Sequence, residues 1–278
     1  MTVTRPSLEQ VDPPRSPRET LPTMYDLPSE DPNEPGLPDE FHDLQPQLLS
    51  ATLRLTGYPR NEIFTGTNLY LYYDVRHPLW QKRPDWFLVV GVPRLYDGVD
   101  LRSSYVIWQE GIDPFVVVEL LSPGTQAEDL GTYAKVTEAE SGLSEVTFDP
   151  EALTPENDQP QRDVPPSKWN VYEKVLRVPY YIVFSRYTNK LWFFKQVGGR
   201  YEQQPLASNP PQIWIPELAL GLGLWQGDYM GISRSWLRWC DAEGNWVLTP
   251  EEQVEQEQQR SERLAERLRQ LGVDPDQV

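Results

Sequence analysis

The sequence predicts an α/β fold whose central strands are covered on both faces. Three runs carry this prediction, at residues 69–73, 86–90 and 115–121, and each is apolar at nearly every position. A strand with one solvent-exposed face alternates apolar and polar residues, whereas a strand buried on both faces does not. A helical pattern precedes these runs, and a helix and further strands follow them. Helices and strands therefore succeed one another along the chain, as in the α/β class.

Local signals place the helices and the remaining strands. In residues 42–56 leucines recur near the helical period of 3.6. Ser167 is a suitable N-cap for a helix that extends to Arg177. We further predict a short helix near 130–136, strands at 180–184 and 191–195, a tight turn at Gly198-Gly199, short closing strands within 213–246, and a charged helix that begins at Pro250 and ends at Gly272.

Composition divides the chain into three parts. Residues 1–36 are rich in proline and acidic residues, and we predict a disordered arm there. Residues 37–248 form the predicted folded domain, which contains an acidic, proline-rich insert at about 124–166. Residues 249–278 form the charged C-terminal helix. The arm and residues about 138–163 of the insert carry too little apolar surface to offset the entropy lost on ordering, so we expect both to be irregular and mobile.

The net charge of −17 is unevenly distributed. Residues 1–41, 128–163 and 249–278 together carry −18, so the rest of the chain carries +1. Net charge affects which partners a protein meets, and a near-neutral core is free to meet a polyanion. The acidity of the chain therefore does not exclude a nucleic-acid partner.

Cysteine and histidine content narrows the chemistry. Cys240 is the only cysteine, which excludes an intramolecular disulfide and any multi-cysteine zinc site and fits a reducing cytoplasm. His42 and His77 are the only histidines, so few residues are available for the histidine of a Ser-His-Asp triad. A bound metal would take oxygen ligands, which indicates Mg²⁺ or Mn²⁺.

The sequence shows no targeting or membrane-spanning segment. The first residues lack the apolar stretch of a signal peptide. The longest apolar runs are a few residues, far short of the roughly 20 that cross a bilayer. We expect a cytoplasmic protein without a membrane partner.

Two acidic residues at strand ends are the main candidates for chemistry. Glu119 lies inside a run expected to be buried, where a carboxylate is costly unless a cation or strong donors meet it. It could equally lie at the strand end, paired with an arginine or facing water. Asp85 opens another apolar strand, and Pro84-Asp85 alone is an ordinary turn element. Together the two could converge on one hard cation, with carboxylates about 4–6 Å apart.

The motifs around these residues resemble a known family. They are the segment 83–90 with Asp85, the segment 115–125 with Glu119, and the segments 168–173 and 178–183. In this order they resemble the bacterial putative restriction endonuclease family of the PD-(D/E)XK nuclease superfamily, over roughly residues 37–225. The resemblance implies a mixed central sheet flanked by helices, and a Mg²⁺-dependent (or Mn²⁺-dependent) endonuclease that acts on DNA.

The resemblance also implies roles for individual residues. Asp85, Glu119 and the backbone carbonyl of Leu120 would hold the metal. The superfamily lysine usually lies two residues after the glutamate, where this chain has Leu121. The family pattern Lys-x-x-x-Tyr instead matches Lys168 and Tyr172, whose spacing puts them on one helical face. The remaining assignments are Lys135 as the competing lysine, and Asp129, Tyr172 and Ser122 as residues that support the ligands.

Three functional hypotheses remain open at this point. The first is an active metal-dependent DNA endonuclease with Asp85, Glu119 and Lys168 as catalytic residues. The second is a nuclease-fold protein that has lost catalysis and acts as an interaction or DNA-binding module. The third is an unrelated tryptophan-rich binding module. A homodimer is compatible with the sequence, which does not fix the oligomeric state.

Overall fold

The computed structural model describes residues 15–23, 25–27, 40–121, 126–134, 164–207, 211–272 and 274. It divides the chain into two compact units, one formed by residues 1–35 and 61–204 and the other by residues 36–60 and 205–278. The predicted folded domain at 37–248 therefore contributes to both units. Most of the predicted insert, including Lys135, lies outside the described residues, and so does Ser122, which precedes the insert.

The described elements are numbered in chain order. The helices are α1 Pro17–Thr20, α2 Glu40–Thr52, α3 Ile107–Glu110, α4 Gln126–Leu130, α5 Lys168–Asn170 and α6 Pro250–Gln270. The strands are β1 Ile63–Thr67, β2 Leu71–Tyr72, β3 Gln81–Lys82, β4 Trp86–Val90, β5 Tyr105–Val106, β6 Val116–Leu120, β7 Tyr180–Ser185, β8 Lys190–Val197, β9 Arg200–Gln203, β10 Gln212–Ile215, β11 Leu220–Tyr229 and β12 Ile232–Cys240.

A mixed six-stranded sheet forms the centre of the first unit, in the order β1-β4-β6-β7-β8-β9. β6 and β7 are parallel, and every other neighbouring pair is antiparallel. Parallel neighbours need a long crossover connection, and α4 and α5 lie within this one. Every residue of β6 and β7 is buried, as the runs without alternation predict. The mixed central sheet with accompanying helices confirms the α/β class.

The first predicted run, residues 69–73, does not enter the central sheet. It supplies β2, which pairs with β3 and β5 in a separate three-stranded sheet. Its apolar pattern reports burial correctly, since Tyr70 to Tyr73 are all buried, but burial alone does not say which sheet a strand joins. The central sheet instead gains β1, whose Gly66 lies opposite Phe87. A Cβ on Gly66 would lie 2.2 Å from the Phe87 ring, so the ring needs a glycine there.

Part of the predicted disordered arm is ordered, at residues 15–23 and 25–27. α1 begins with Pro17. The Trp108 side chain donates a hydrogen bond of 2.8 Å to the Pro22 carbonyl, and the Gln109 side chain donates one of 2.8 Å to the Pro17 carbonyl. Leu27 is buried. The composition suggested disorder because the partners that stabilise the segment lie about 80 to 90 residues away in the sequence.

The second unit is built on a three-stranded antiparallel sheet, β10-β11-β12, and helix α2. β11 and β12 form a long hairpin of ten and nine residues, instead of the short closing strands predicted within 213–246. Glycines and exposed polar residues in β11 obscured its length. The Gln45 side-chain amide exchanges two hydrogen bonds of 2.8 Å with the backbone of Leu237, which fixes α2 to β12.

Helix α6 confirms the predicted charged C-terminal helix. Thr249 and Glu252 form a capping box at its start, and Gly272 follows its end with a φ of 76°. The buried Arg238 guanidinium of β12 donates two hydrogen bonds to the Glu252 carboxylate. Among the described residues, no helix is both long and apolar enough to cross a membrane.

The anchor of α6 predicts an acid-sensitive contact. Burial alone would raise the pKa of Glu252, but hydrogen bonds from Arg238 and from the Thr249 backbone lower it below the ordinary 4.5. A lowered pKa in the folded state gives stability that is present above pH 4.5 and lost as the pH falls through the folded value. We therefore expect Glu252→Gln to lower the thermal unfolding midpoint at pH 7 and to have less effect near pH 3. Glu255→Gln, an exposed neighbour on α6, is the control, and an equal effect at both pH values would contradict this account.

Candidate active site

Glu119 is the centre of the candidate site. It lies in β6 between Val118 and Leu120, and its side chain is fully buried. Two donors meet the carboxylate: the Lys168 ammonium lies 3.0 Å from Oε2, and the Tyr172 hydroxyl donates a hydrogen bond of 2.8 Å to Oε1. Burying a carboxylate is tolerable when charged and neutral donors replace its water. The structure thus supplies partners that the apolar sequence around Glu119 does not reveal.

Asp85 lies next to Glu119 across two strands. β4 and β6 are antiparallel with Trp86 opposite Val118, so one step further along this register Asp85 is opposite Glu119. Alternation along each strand then puts both side chains on the face that carries Phe87 and Val117, which belong to the same core. The Leu120 N–H donates a hydrogen bond of 2.6 Å to Asp85 Oδ2, which ties the two strand ends together.

Helix α5 presents its functional groups to this face. Ser167 caps it by accepting a hydrogen bond from the Asn170 N–H, as predicted. The regular helix predicted up to Arg177 is wrong in its second half, because residues Val171–Val175 form a π-helical turn. Such turns widen the helix by one residue and are frequent at functional sites. Lys168 and Tyr172 still contact the same carboxylate, which confirms their predicted common face.

Asp129 and Tyr181 complete the surroundings of Lys168. The buried Asp129 has its Oδ1 3.3 Å from Lys168 Nζ, so the ammonium lies between two carboxylates. The Tyr181 hydroxyl donates a hydrogen bond of 2.7 Å to the backbone carbonyl of Asp129, which holds that part of α4 in place. Tyr181 was not among the site residues predicted from the sequence. Its signal was a pair of adjacent tyrosines in a buried strand, since adjacent residues point to opposite faces and one of the two must point to the face that carries Glu119.

Gly131 permits the close packing of α5 against the segment that follows α4. Its φ is +52°, and a Cβ at this position would lie 2.7 Å from the Trp169 ring. Both the conformation and the space therefore favour glycine. Because Trp169 is the residue after Lys168, this contact helps to set where the ammonium lies.

Three carboxyl groups, those of Glu119, Asp85 and Asp129, act on the Lys168 ammonium. Burial raises the pKa of the Glu119 carboxyl well above its ordinary value, the Lys168 ammonium opposes this, and Asp85 and Asp129 add to it. Burial alone would lower the pKa of Lys168, but Glu119, Asp129 and Asp85 hold it above its ordinary value. Burial, with Glu119 nearby, raises the pKa of Tyr172 well above 10. Tyr172 therefore stays a neutral donor and Lys168 stays charged, beside three acidic groups.

The donor set fits a hard divalent cation. Carboxylate and backbone carbonyl oxygens are the ligands that Mg²⁺ prefers, and it commonly takes only one or two carboxylates from a protein. Asp85, Glu119 and the Leu120 carbonyl would supply such a set at the adjoining ends of β4 and β6. Within the described part of the chain, no three His, Cys, Asp or Glu side chains form a metal-holding group. A cation here would therefore be held by the two carboxylates, the carbonyl and water.

Tyr172 supports the site in a way that a conservative change can test. We expect Tyr172→Phe to lower the free energy of unfolding by about 1–3 kcal/mol, because Glu119 Oε1 loses a buried donor. Groups that orient a metal ligand typically contribute 10–100-fold to metal affinity or activity, so we expect metal affinity to fall on that scale. Denaturant titration and calorimetry with Mn²⁺ measure the two effects. Tyr187→Phe, at an exposed tyrosine, is the control, and unchanged stability and affinity in Tyr172→Phe would show that the hydroxyl does not support Glu119.

Comparison with known proteins identifies the family. A crystal structure described as a "putative nuclease belonging to DUF820 from Anabaena variabilis ATCC 29413" aligns with 71% of this chain and 90% of that chain, at 12% sequence identity and a TM-score of 0.39. No match was found among curated proteins. Residues 17–233, which include α1, the central sheet and the residues around Glu119, match the family described as "Uma2: Putative restriction endonuclease". Because this match spans most of the sequence, the chain belongs to the Uma2 family of "putative restriction endonucleases".

Proposed function

We propose that this chain is a divalent-metal-dependent DNA endonuclease whose catalytic residues are Asp85, Glu119 and Lys168. One observation carries the proposal: a fully buried glutamate lies beside an aspartate at adjoining strand ends, and a lysine ammonium lies 3.0 Å from its carboxylate. Membership in a nuclease family makes phosphodiester hydrolysis the natural chemistry for this arrangement.

A purely structural ion pair accounts for the cluster less well. A buried Glu–Lys pair would be electrically balanced, and replacing such a pair by apolar residues is often neutral or stabilising. Here Asp85 and Asp129 act on Glu119 in addition to Lys168, so the buried carboxyl group faces two further acidic groups as well as the ammonium. A divalent cation at this place would favour the ionised form of these carboxyl groups and would neutralise their charge.

Each residue of the proposed site has a distinct task. Asp85, Glu119 and the Leu120 carbonyl would hold Mg²⁺ or Mn²⁺. When bound, such a cation acidifies water and stabilises negative charge on a phosphate. The Lys168 ammonium would stabilise the charge that develops on the non-bridging phosphate oxygens during attack by water. Tyr172 fixes the Glu119 carboxylate, and Asp129 holds the ammonium between two anions.

Lys168 would replace the lysine that the superfamily usually places two residues after the glutamate. That position is Leu121, which is 5% exposed and belongs to the apolar core. The Lys168 ammonium reaches the same carboxylate from α5 instead. The competing Lys135 lies outside the described residues, so variants must compare the two lysines.

Plasmid nicking tests the proposal. Supercoiled DNA is incubated with the full chain and Mg²⁺, Mn²⁺ or EDTA, and the relaxed form is measured over time. We expect relaxation with either metal and none with EDTA. If the chain relaxes no DNA under any of these metals, the alternative of a catalytically degenerate nuclease-fold protein takes its place.

A further inference from the structure

The hairpin that joins β7 to β8 concentrates positive charge in an otherwise acidic chain. Residues 174–200, which contain both strands, include six basic residues and no acidic one, whereas the whole chain has a net charge of −17. Two of the six, Arg186 and Lys190, lie where β7 ends and β8 begins. Clustered basic residues are typical of a surface that meets a polyanion.

We propose that Lys190 binds a backbone phosphate of duplex DNA, next to the phosphate that the carboxylate site would cut. The inference rests on the proposed function for its choice of DNA as ligand. It assigns to β8 a positioning role that neither Lys168 nor the metal ligands fulfil, because a cut strand must also be held beside the reacting phosphate.

The register of the sheet places Lys190 on the face that carries Glu119. In the parallel pair of β6 and β7, Glu119 is opposite Val183, and in the antiparallel pair of β7 and β8, Val183 is opposite Trp192. Opposite residues of neighbouring strands point to the same face, so Trp192 shares the face of Glu119. Lys190 is two residues from Trp192 and therefore points to this face as well.

Lys190 also lies at the edge of the sheet where the proposed site is located. β6 and β7 end at this edge, at Leu120 and Ser185, and β8 begins there with Lys190 opposite Ser185. Two strand spacings and a step of two residues separate the Cα atoms of Lys190 and Glu119, which amounts to about 12 Å. The lysine is therefore too far along the sheet to act on the reacting phosphate, and close enough to reach a neighbouring one.

An aromatic ring limits the positions that the Lys190 ammonium can adopt. Lys190 Nζ lies 5.2 Å from the centroid of the Trp192 ring, within the range of a cation–π contact. Trp192 is buried in the core below the site, so the ring itself is held in place. A cation that is already held in position loses less freedom when it binds a phosphate.

The same strand supplies a matched comparison. Lys195 Nζ lies 5.3 Å from the centroid of the Tyr180 ring, and Lys195 and Lys190 are both half-buried. Lys195 is five residues after Lys190, so it points to the opposite face of the sheet. The two lysines thus share their strand, their burial and their contact with a ring, but only Lys190 points to the face of the proposed site.

Binding of DNA without metal tests the inference independently of cleavage. A fluorescently labelled blunt duplex is titrated with the full chain in EDTA at several salt concentrations, and anisotropy is recorded. One phosphate contact contributes a slope of about 0.9 to the dependence of log affinity on log salt, so we expect this slope to fall by about 0.9 in Lys190→Ala. Affinity at about 0.1 M salt should fall by about 5–10-fold. Lys195→Ala should keep the slope and stay within about twofold of the wild-type affinity, because it makes no phosphate contact.

Two further variants separate the charge of Lys190 from its packing on Trp192. Lys190→Met keeps an apolar stem over the ring without the charge and should lose as much affinity as Lys190→Ala, whereas Lys190→Arg should retain most of it. Wild-type affinity and slope in Lys190→Met would show that the lysine only covers the ring, and would overturn the inference. Equal losses in Lys190→Ala and Lys195→Ala also overturn it, as does a wild type that binds no duplex. If Lys190→Met weakens binding as expected but the wild type nicks no DNA, the proposed function alone is contradicted.

Discussion

Glu119→Gln is expected to abolish metal-dependent nicking. The substitution keeps the size of the side chain and removes the buried negative charge that would hold the cation beside Asp85. We also expect metal affinity to fall by at least about 10-fold, the lower end of what a supporting residue contributes. Plasmid relaxation and Mn²⁺ calorimetry measure the two effects.

The control for this variant is Glu202→Gln, which removes one negative charge at an exposed position of β9. It should leave nicking and metal affinity unchanged. Circular dichroism must show that Glu119→Gln is folded, because the change also leaves the Lys168 ammonium with fewer acidic partners. A folded Glu119→Gln variant that nicks DNA at the wild-type rate would exclude Glu119 from the site.

Lys168→Ala is expected to slow nicking by roughly 10²–10³-fold, the effect of losing one group that stabilises charge in the transition state. Metal binding should remain largely intact, because Lys168 is not a proposed ligand. The variant should also lose stability, by about 3–5 kcal/mol in EDTA, since removing one partner leaves buried carboxylates without their cation. Mg²⁺ should restore part of this loss by neutralising the same carboxylates.

Lys135→Ala is the decisive comparison for the lysine. If Lys168 is the catalytic lysine, Lys135→Ala should nick at close to the wild-type rate. If instead Lys168→Ala is fully active and Lys135→Ala is inactive, the lysine before the acidic insert performs the reaction. Restoration of stability by Mg²⁺ in Lys168→Ala is a separate result, because it reports on the carboxylates and not on catalysis.

The central strands could be predicted from the sequence because a strand buried on both faces is apolar at nearly every position. The ends of β4, β6 and β7 all agree with the predicted runs to within one residue. β1 could not be found in this way, since its threonines and Gly66 break the apolar pattern. Its place in the sheet depends on the Phe87 ring that covers Gly66, a contact between residues 21 positions apart.

Site residues could be predicted from the sequence where their type differs from that of their sequence neighbours or matches a family pattern. A glutamate within an apolar run identified Glu119, and the resemblance to the family's Lys-x-x-x-Tyr pattern identified Lys168 and Tyr172, whose spacing places them on one helical face. Residues that matter only through contacts with residues far away in the sequence could not be recognised from their sequence neighbours. Tyr181 meets Asp129 across 52 positions, and α1 is held by residues of α3.

A crystal structure of the full chain with Mn²⁺ tests the central claim most directly. We expect an anomalous scattering peak at the ends of β4 and β6, with oxygens of Asp85 and Glu119 each about 2.1–2.2 Å from the ion, and with the two carboxylates about 4–6 Å apart. The Lys168 ammonium should remain near the site without coordinating the ion. An ordered structure at saturating Mn²⁺ that has no peak there, or carboxylates more than about 10 Å apart, would contradict a metal site built from Asp85 and Glu119.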